Sequence, residues 1–400
     1  MGETAPQSAA RIFGKHLPNR VAATACALLF SSSAAADVLS LLAGGSAQHD
    51  SNVFKQPVPV AETLRTGYVG LRVDKPYSLQ RFQVDVTATA YRYSSELSYL
   101  DFDALDYHAA WLWSVTPRLT GSLRTERLEN QAPFFDLNSV QRNVRVSTRN
   151  GFDLDGDIGA GLHATFGLGY SKQASEQQFL GQPDFIYRSA ELGIKYSRIA
   201  GNSIALVRRL GRGEYIQHNP NPAVPLDTHY KQTETEAQAA WLVTARSTLS
   251  GRLTWTERQH DELPQLDSSG WGGEAAYAWN ATDKFSATLS LRQDFVPYFD
   301  LAITHRIDKI ASAAARWQAT GAIALNLAVR GTHSLFLGTT PPPTGATRKD
   351  EFVALDGSIG WKPTPKIELT AGATRQHRAS NDPTFPFDAT ITRVSAALTF

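Results

Sequence analysis

The stretch WLVTARSTLSGRLTW, residues 241 to 255, decides how the rest of the chain is read. In its second half Leu249, Gly251, Leu253 and Trp255 fall on one side, and Ser250, Arg252 and Thr254 on the other. A period of two with one apolar and one polar face is the pattern of a half-buried strand. The first half closes another apolar run with Trp241-Leu-Val-Thr244, and TARS is short enough to be a tight turn. Fifteen residues thus read as the end of one strand, a turn and the whole of the next.

The same scheme recurs along the chain. FQVDVTATA places Phe82, Val84, Val86, Ala88 and Ala90 opposite Gln83, Asp85, Thr87 and Thr89. In IALNLAVRG, Ile323, Leu325, Leu327 and Val329 oppose Asn326 and Arg330. Helical periodicity is almost absent, and no composition shift or charged linker divides the chain.

The motif W-x-x-T repeats at Trp113, Trp241, Trp279, Trp317 and Trp361. The last four are spaced by 38, 38 and 44 residues, and the first gap of 128 is near three such periods. Each copy ends an alternating strand and precedes a short turn, so the repeat unit is strand, tight turn, strand, longer loop. Tryptophans at one end of many strands form the aromatic girdle of a membrane interface, since indole has an apolar body and a polar N–H. A soluble propeller with buried tryptophans is the competing architecture, but its blades carry four strands in a similar period, and here there are two.

Loop lengths point the same way. Connections after the W-x-x-T ends are short, as in TPR, TARS, ATDK and ATG. Those at the opposite ends are longer, as in QHNPNPAVPLDTH (residues 217 to 229) and LGTTPPPTGATRK (337 to 349). Short turns on one side and long loops on the other mark an outer-membrane barrel. The final strand, TRVSAALTF, alternates through Thr392, Val394, Ala396 and Leu398 to a terminal Phe400, the aromatic ending that barrel-assembly machinery reads as a signal.

The N-terminus predicts export. Arg11, Lys15 and Arg20 precede an apolar run, VAATACALLF, and the small residues Ala34 and Ala36 place cleavage after Ala36. A lipoprotein signal on Cys26 would want leucine where Ala23 stands. Removing residues 1–36 takes the basic count from 39 to 36 and the acidic count from 38 to 37, and leaves no cysteine. A near-neutral, cysteine-free exported chain argues against nucleic-acid partners and against disulfides. The expected organisation is a signal peptide over 1–36 and an all-β, antiparallel, up-and-down transmembrane β-barrel of about 18 strands over 37–400.

If the apolar faces meet lipid, the opposite faces line a lumen. That reasoning assigns inward Arg124, Glu126, Arg145, Arg149, Glu191, Glu234, Glu236, Arg252, Glu274 and Arg292. It also assigns Arg306, Asp308, Arg316, Arg330, Asp356, Glu368 and Arg393. A lysine or arginine facing lipid at mid-depth would cost about 2–4 kcal/mol. The preference for arginine over lysine suits contact with carboxylates, while charge pairing that merely holds the wall in shape is the plainer reading.

His49, Asp50 and Ser51 lie side by side in QHDSNVFK, residues 48 to 55. In an extended chain His49 and Asp50 point to opposite faces, so they form no local catalytic relay. No G-x-S-x-G, H-E-x-x-H or cysteine-based metal spacing occurs elsewhere, so neither an enzyme nor a cofactor is expected.

The segment Asp50-Ser51-Asn52-Val53-Phe54-Lys55 just after the first strand resembles the EpsL-type exopolysaccharide-biosynthesis outer-membrane proteins, β-barrel porins associated with exosortase and PEP-CTERM systems. LDYHAAWLWSVTPRLTGSL (residues 105 to 123), the later W-x-x-T turns and Phe400 share that resemblance; His49 and Lys55 replace an aromatic residue and an arginine. The resemblance implies a Gram-negative outer-membrane channel for secretion of a polysaccharide. Its implied partners are outer-membrane lipid, the polymer, the barrel-assembly machinery and periplasmic export components. A general diffusion porin and a non-conducting scaffold remain the alternatives.

Overall fold

In the computed structural model, the structure describes residues 38–134, 139–177, 184–197, 201–216, 229–297, 303–338 and 347–400. The signal peptide, and most of the two long loops 217–229 and 337–349, lie outside the described residues. The strands in the first half are β1 (Leu39–Asp50), β2 (Glu62–Tyr77), β3 (Gln80–Arg92), β4 (Phe102–Thr116), β5 (Leu119–Gln131), β6 (Val144–Gly159), β7 (Leu162–Ser175), β8 (Phe185–Ser197) and β9 (Ser203–Tyr215). Those in the second are β10 (His229–Thr244), β11 (Ser247–His260), β12 (Ser268–Trp279), β13 (Phe285–Pro297), β14 (His305–Gln318), β15 (Ile323–Leu337), β16 (Lys349–Thr364), β17 (Ile367–Ser380) and β18 (Phe387–Thr399).

Each strand pairs antiparallel with its sequence neighbours, and β1 pairs with β18, so a sheet of 18 strands closes on itself. The closure runs to the last residue: Phe400 donates its N–H to the Leu41 carbonyl at 2.9 Å and accepts from the Leu41 N–H at 3.0 Å. Closure satisfies every strand edge, which an open sheet in hydrocarbon could not do. No helix among the described residues is long and apolar enough to cross a membrane; the crossing is by strands.

Register sorts the side chains. From β10 to β11, Glu236 faces Thr254 and Gln238 faces Arg252 on one side, while Thr235 faces Trp255 and Trp241 faces Leu249 on the other. Carrying such pairs around the ring keeps Leu192, Leu206, Leu253, Leu291, Leu327, Val353 and Val394 on one face, all well exposed in the isolated chain. The opposite face carries the ion pairs of the strand middles, such as Arg209–Glu234 and Arg252–Glu274, while outer-face pairs such as Arg92–Asp103 and Arg375–Asp388 lie toward the long-loop ends. A closed barrel with an exposed apolar exterior has hydrocarbon as its solvent, and the protein is therefore a Gram-negative outer-membrane barrel.

The W-x-x-T repeat has a physical account in its tryptophans throughout and in its threonines at four of the five copies. Trp113, Trp241, Trp279, Trp317 and Trp361 all occupy the outer face, beside the short-turn ends of β4, β10, β12, β14 and β16. The threonine three residues on serves the turn. Thr116 Oγ1 accepts from Arg118 N–H at 3.3 Å, and Thr244 from Arg246 N–H at 3.2 Å. Thr282 accepts from Lys284 and Phe285, and Thr320 from Ala322 and Ile323, at 3.0–3.2 Å. A hydroxyl closing the turn on its own backbone is the ST-turn device.

The longer connections gather at the opposite end, where three of them share a small core. Phe54 from the β1–β2 loop meets Phe134 from the β5–β6 loop edge-on, with ring centroids 5.0 Å apart. Leu100, from the β3–β4 connection, is fully buried between them.

Candidate lumen site

The opening segment of that end is structural. Asp50 Oδ1 accepts from Asn52 N–H at 2.9 Å, and Asn52 Nδ2 donates to the carbonyls of Gln56 and Asp388 at 2.7 and 3.1 Å. Lys55, at φ 55°, returns to pair with Asp50 at 2.6 Å. Burial pushes the Lys55 ammonium below the ordinary lysine range, and the Asp50 carboxylate holds against that. His49 turns outward to Thr63, and Ser51 Oγ accepts from Thr390 N–H. The triplet that looked like chemistry fastens the first loop to the last hairpin.

A serine, a histidine and an aspartate do meet elsewhere. Ser197 Oγ lies 3.0 Å from His163 Nε2, and His163 Nδ1 lies 2.6 Å from Asp155 Oδ1, on the inner wall at the short-turn end of β6, β7 and β8. The other Asp155 oxygen pairs with Lys195. The Ser197 N–H, the first donor an oxyanion would need, already donates to the Gly161 carbonyl at 2.8 Å. The relay ties three strand ends together.

The lumen-facing residues named from sequence share the inner face. Glu191, Arg209 and Glu234 stand in register across β8, β9 and β10, with Arg209 bridging the two carboxylates. Arg252 then stands between Glu236 at 3.8 Å and Glu274 at 3.6 Å, with Arg292 directly beyond Glu274 and paired to Asp294 at 2.7 Å. Arg306 pairs with Asp308 at 2.8 Å. On the other flank Arg149 meets Glu126, and Arg124 meets Asp153, both at 3.6 Å; Arg145 lies on the same face of β6. Asp356 accepts from Thr374, and Glu368 pairs with Lys362.

Three inward arginines stand apart. Arg316 reaches the amide oxygens of Asn326 and Gln318, Arg330 leans over Phe352 at 5.7 Å, and Arg393 faces Gln48 across the strand pair. Among the described residues none of the three has a carboxylate within ion-pair distance. The wall is thus an alternating acid–base band over β8–β14, with uncompensated guanidinium groups on β14, β15 and β18. Inside the band's flank lies a cavity of about 750 Å³ bounded by Arg81, Arg124, Asp153, Glu191, Lys195 and Gln238.

Sequence reasoning missed Arg209, the hub of the band. In SIALVRRLGRGEY the doublet Arg208-Arg209 hides the alternation, but Ile204 and Leu206 fix the outer face and so assign Arg209 inward and Arg208 outward. The Arg72–Asp85 pair and the bidentate Arg81–Asp74 pair at 2.7 Å were also missed, because each joins β2 to β3 and depends on the register between them.

No family model matches the chain, and no curated protein does. Solved structures do match in fold. Pseudomonas aeruginosa OccK9 (OpdG) superposes with a TM-score of 0.54 at 11% identity, covering 91% of this chain and 99% of that one. Pseudomonas aeruginosa OccK2 (OpdF) in complex with glucuronate gives 0.52 at 12% identity, with 91% and 98% covered. A BenF-like porin from Pseudomonas fluorescens Pf-5 gives 0.52 at 10% identity, again with 91% and 98% covered. At these identities the likeness shows the fold: a closed antiparallel barrel over nearly the whole of both chains.

Proposed function

We propose that the protein is a passive outer-membrane channel for small hydrophilic solutes, with a preference for those carrying a carboxylate. The observation that carries this reading is the set Arg316, Arg330 and Arg393, inward guanidinium groups with no carboxylate within ion-pair distance among the described residues, on a wall where most of the other arginines pair with acids. A guanidinium left open in a water-filled lumen attracts anions and can grip a carboxylate with two parallel hydrogen bonds. The glucuronate complex of OccK2, a similar barrel, supports a carboxylated solute. The comparisons favour this general-porin reading over polymer secretion.

Planar-bilayer recording tests it. The expected result is an open conductance with anion preference in a salt gradient, reduced by glucuronate. The triple substitution Arg316→Gln, Arg330→Gln, Arg393→Gln should move the reversal potential toward cations and weaken the glucuronate effect. A folded barrel that conducts nothing would leave a scaffold in place of a channel.

The resemblance of Asp50–Lys55 to the EpsL-type proteins supports a second reading, an export conduit for a secreted polysaccharide. It predicts that deleting the gene in a polymer-producing host traps polymer in the periplasm. Unchanged polymer inside and outside the cell would remove it.

A further inference from the structure

On the outer face of β12–β16 the wall is indented by an apolar trough of about 770 Å³. Trp271, Leu291 and Val353 stand up along its sides, half to two-thirds exposed. Its floor runs through Ala311 and Gly331, and a Cβ built on Gly331 would meet nothing within 4 Å. Glycine there answers no backbone demand; it leaves the space open.

Above the floor the face turns polar in one register step. Gln293, Lys309, His333 and Glu351 are consecutive lateral neighbours across β13, β14, β15 and β16. Lys309 is eight residues from Trp317 along β14. That is roughly 20 Å above the girdle, for strands rising ~3.3 Å per residue at a ~40° tilt. The row therefore sits about 5 Å below the top of an apolar band ~25 Å tall, close enough for a lysine side chain to reach the head groups of the outer leaflet. His333 and Glu351 face each other at 3.7 Å. Lys309, and Lys349 two residues above Glu351, have no carboxylate within ion-pair distance among the described residues.

We propose that this trough binds a phosphorylated, acylated glycolipid of the outer leaflet, with an acyl chain in the trough and a phosphate on Lys309 and Lys349. Charge complementarity selects this occupant. An ammonium near the membrane surface contributes to holding an anionic head group, and an acyl chain replaces water or loose lipid along the apolar floor. A second copy of the chain would instead bury two uncompensated ammonium groups against its own wall, which is unfavourable. Glu351 opposes the phosphate, and His333, 3.7 Å away, offsets that opposition only when its imidazole is protonated.

The test is native mass spectrometry of the full mature barrel released from detergent, with synthetic lipid A bisphosphate, its dephosphorylated form and phosphatidylglycerol as probes. The expected result is retention of the bisphosphate form, about tenfold above the dephosphorylated form. Lys309→Gln with Lys349→Gln should abolish that difference, and Gly331→Leu should lower retention of both glycolipids. Heat-modifiable gel mobility reports that each variant is folded. Equal retention of the two glycolipids, or of phosphatidylglycerol and the bisphosphate form, would overturn the proposal. So would a dimer mass that disappears on Gly331→Leu. The outcome is independent of whether the lumen conducts.

Discussion

Adjacent residues with identical side chains can have opposite consequences here. Arg209 points into the lumen and holds Glu191 and Glu234 apart, so its loss leaves two half-buried carboxylates facing each other. Arg208, at the middle of the 13-residue β9, points to lipid with the Thr235 hydroxyl as its one partner among the described residues. Arg209→Leu is expected to destabilise the barrel by about 1–2 kcal/mol, a figure discounted for partial exposure. Arg208→Leu should stabilise it by up to ~2 kcal/mol, because it removes a charge from the hydrocarbon face. Urea unfolding of the refolded barrel in micelles checks both; a common sign would show that the faces of β9 are assigned wrongly. Both the doublet and its two faces were present in the sequence, but the partners of Arg209 come from β8 and β10 and could not be read there.

At the level of the hairpin, the W-x-x-T motif joins two tasks three residues apart. The indole is placed at the membrane boundary, and the hydroxyl closes the turn that reverses the chain. Thr320→Val keeps the shape and removes the acceptor for the Ala322 and Ile323 N–H groups. The expected cost is about 1 kcal/mol, because water at this exposed turn replaces part of what is lost. Hydrogen exchange at Ile323 should accelerate while β14 and β15 away from the turn keep their protection; unchanged exchange would remove the turn-closing role. The tryptophan spacing made the hairpins legible from sequence, since both ends of a tight turn are local. The longer loops were legible only as long. That Phe54, Leu100 and Phe134 meet depends on three connections separated by whole strands.

Across the whole molecule, stability depends on closure. Phe400 is the last residue to pair, through two backbone hydrogen bonds to Leu41. Deleting it exposes those Leu41 groups near the membrane boundary and is expected to cost about 2 kcal/mol. The amount of heat-modifiable barrel recovered in the outer membrane should fall with it. A variant recovered at the level of the parent, with the same urea midpoint, would show that closure does not need this last rung. The same closure turns a flat list of inward charges into a wall with a paired sector over β8–β14 and an open basic sector on β14, β15 and β18. The selectivity and glycolipid experiments each probe a property that belongs to that assembled wall.

The sequence by itself determined the strand-and-turn rhythm, a common face for the charged residues it named as inward and the closure into about 18 strands, because alternation and turn chemistry act over a few residues and lipid tolerates only one solution for them. Tertiary structure alone decided which acid meets which base, which arginines remain open, and where small residues on neighbouring strands line up into a trough. Those outcomes depend on the register between strands, and register is set by pairing around the whole ring.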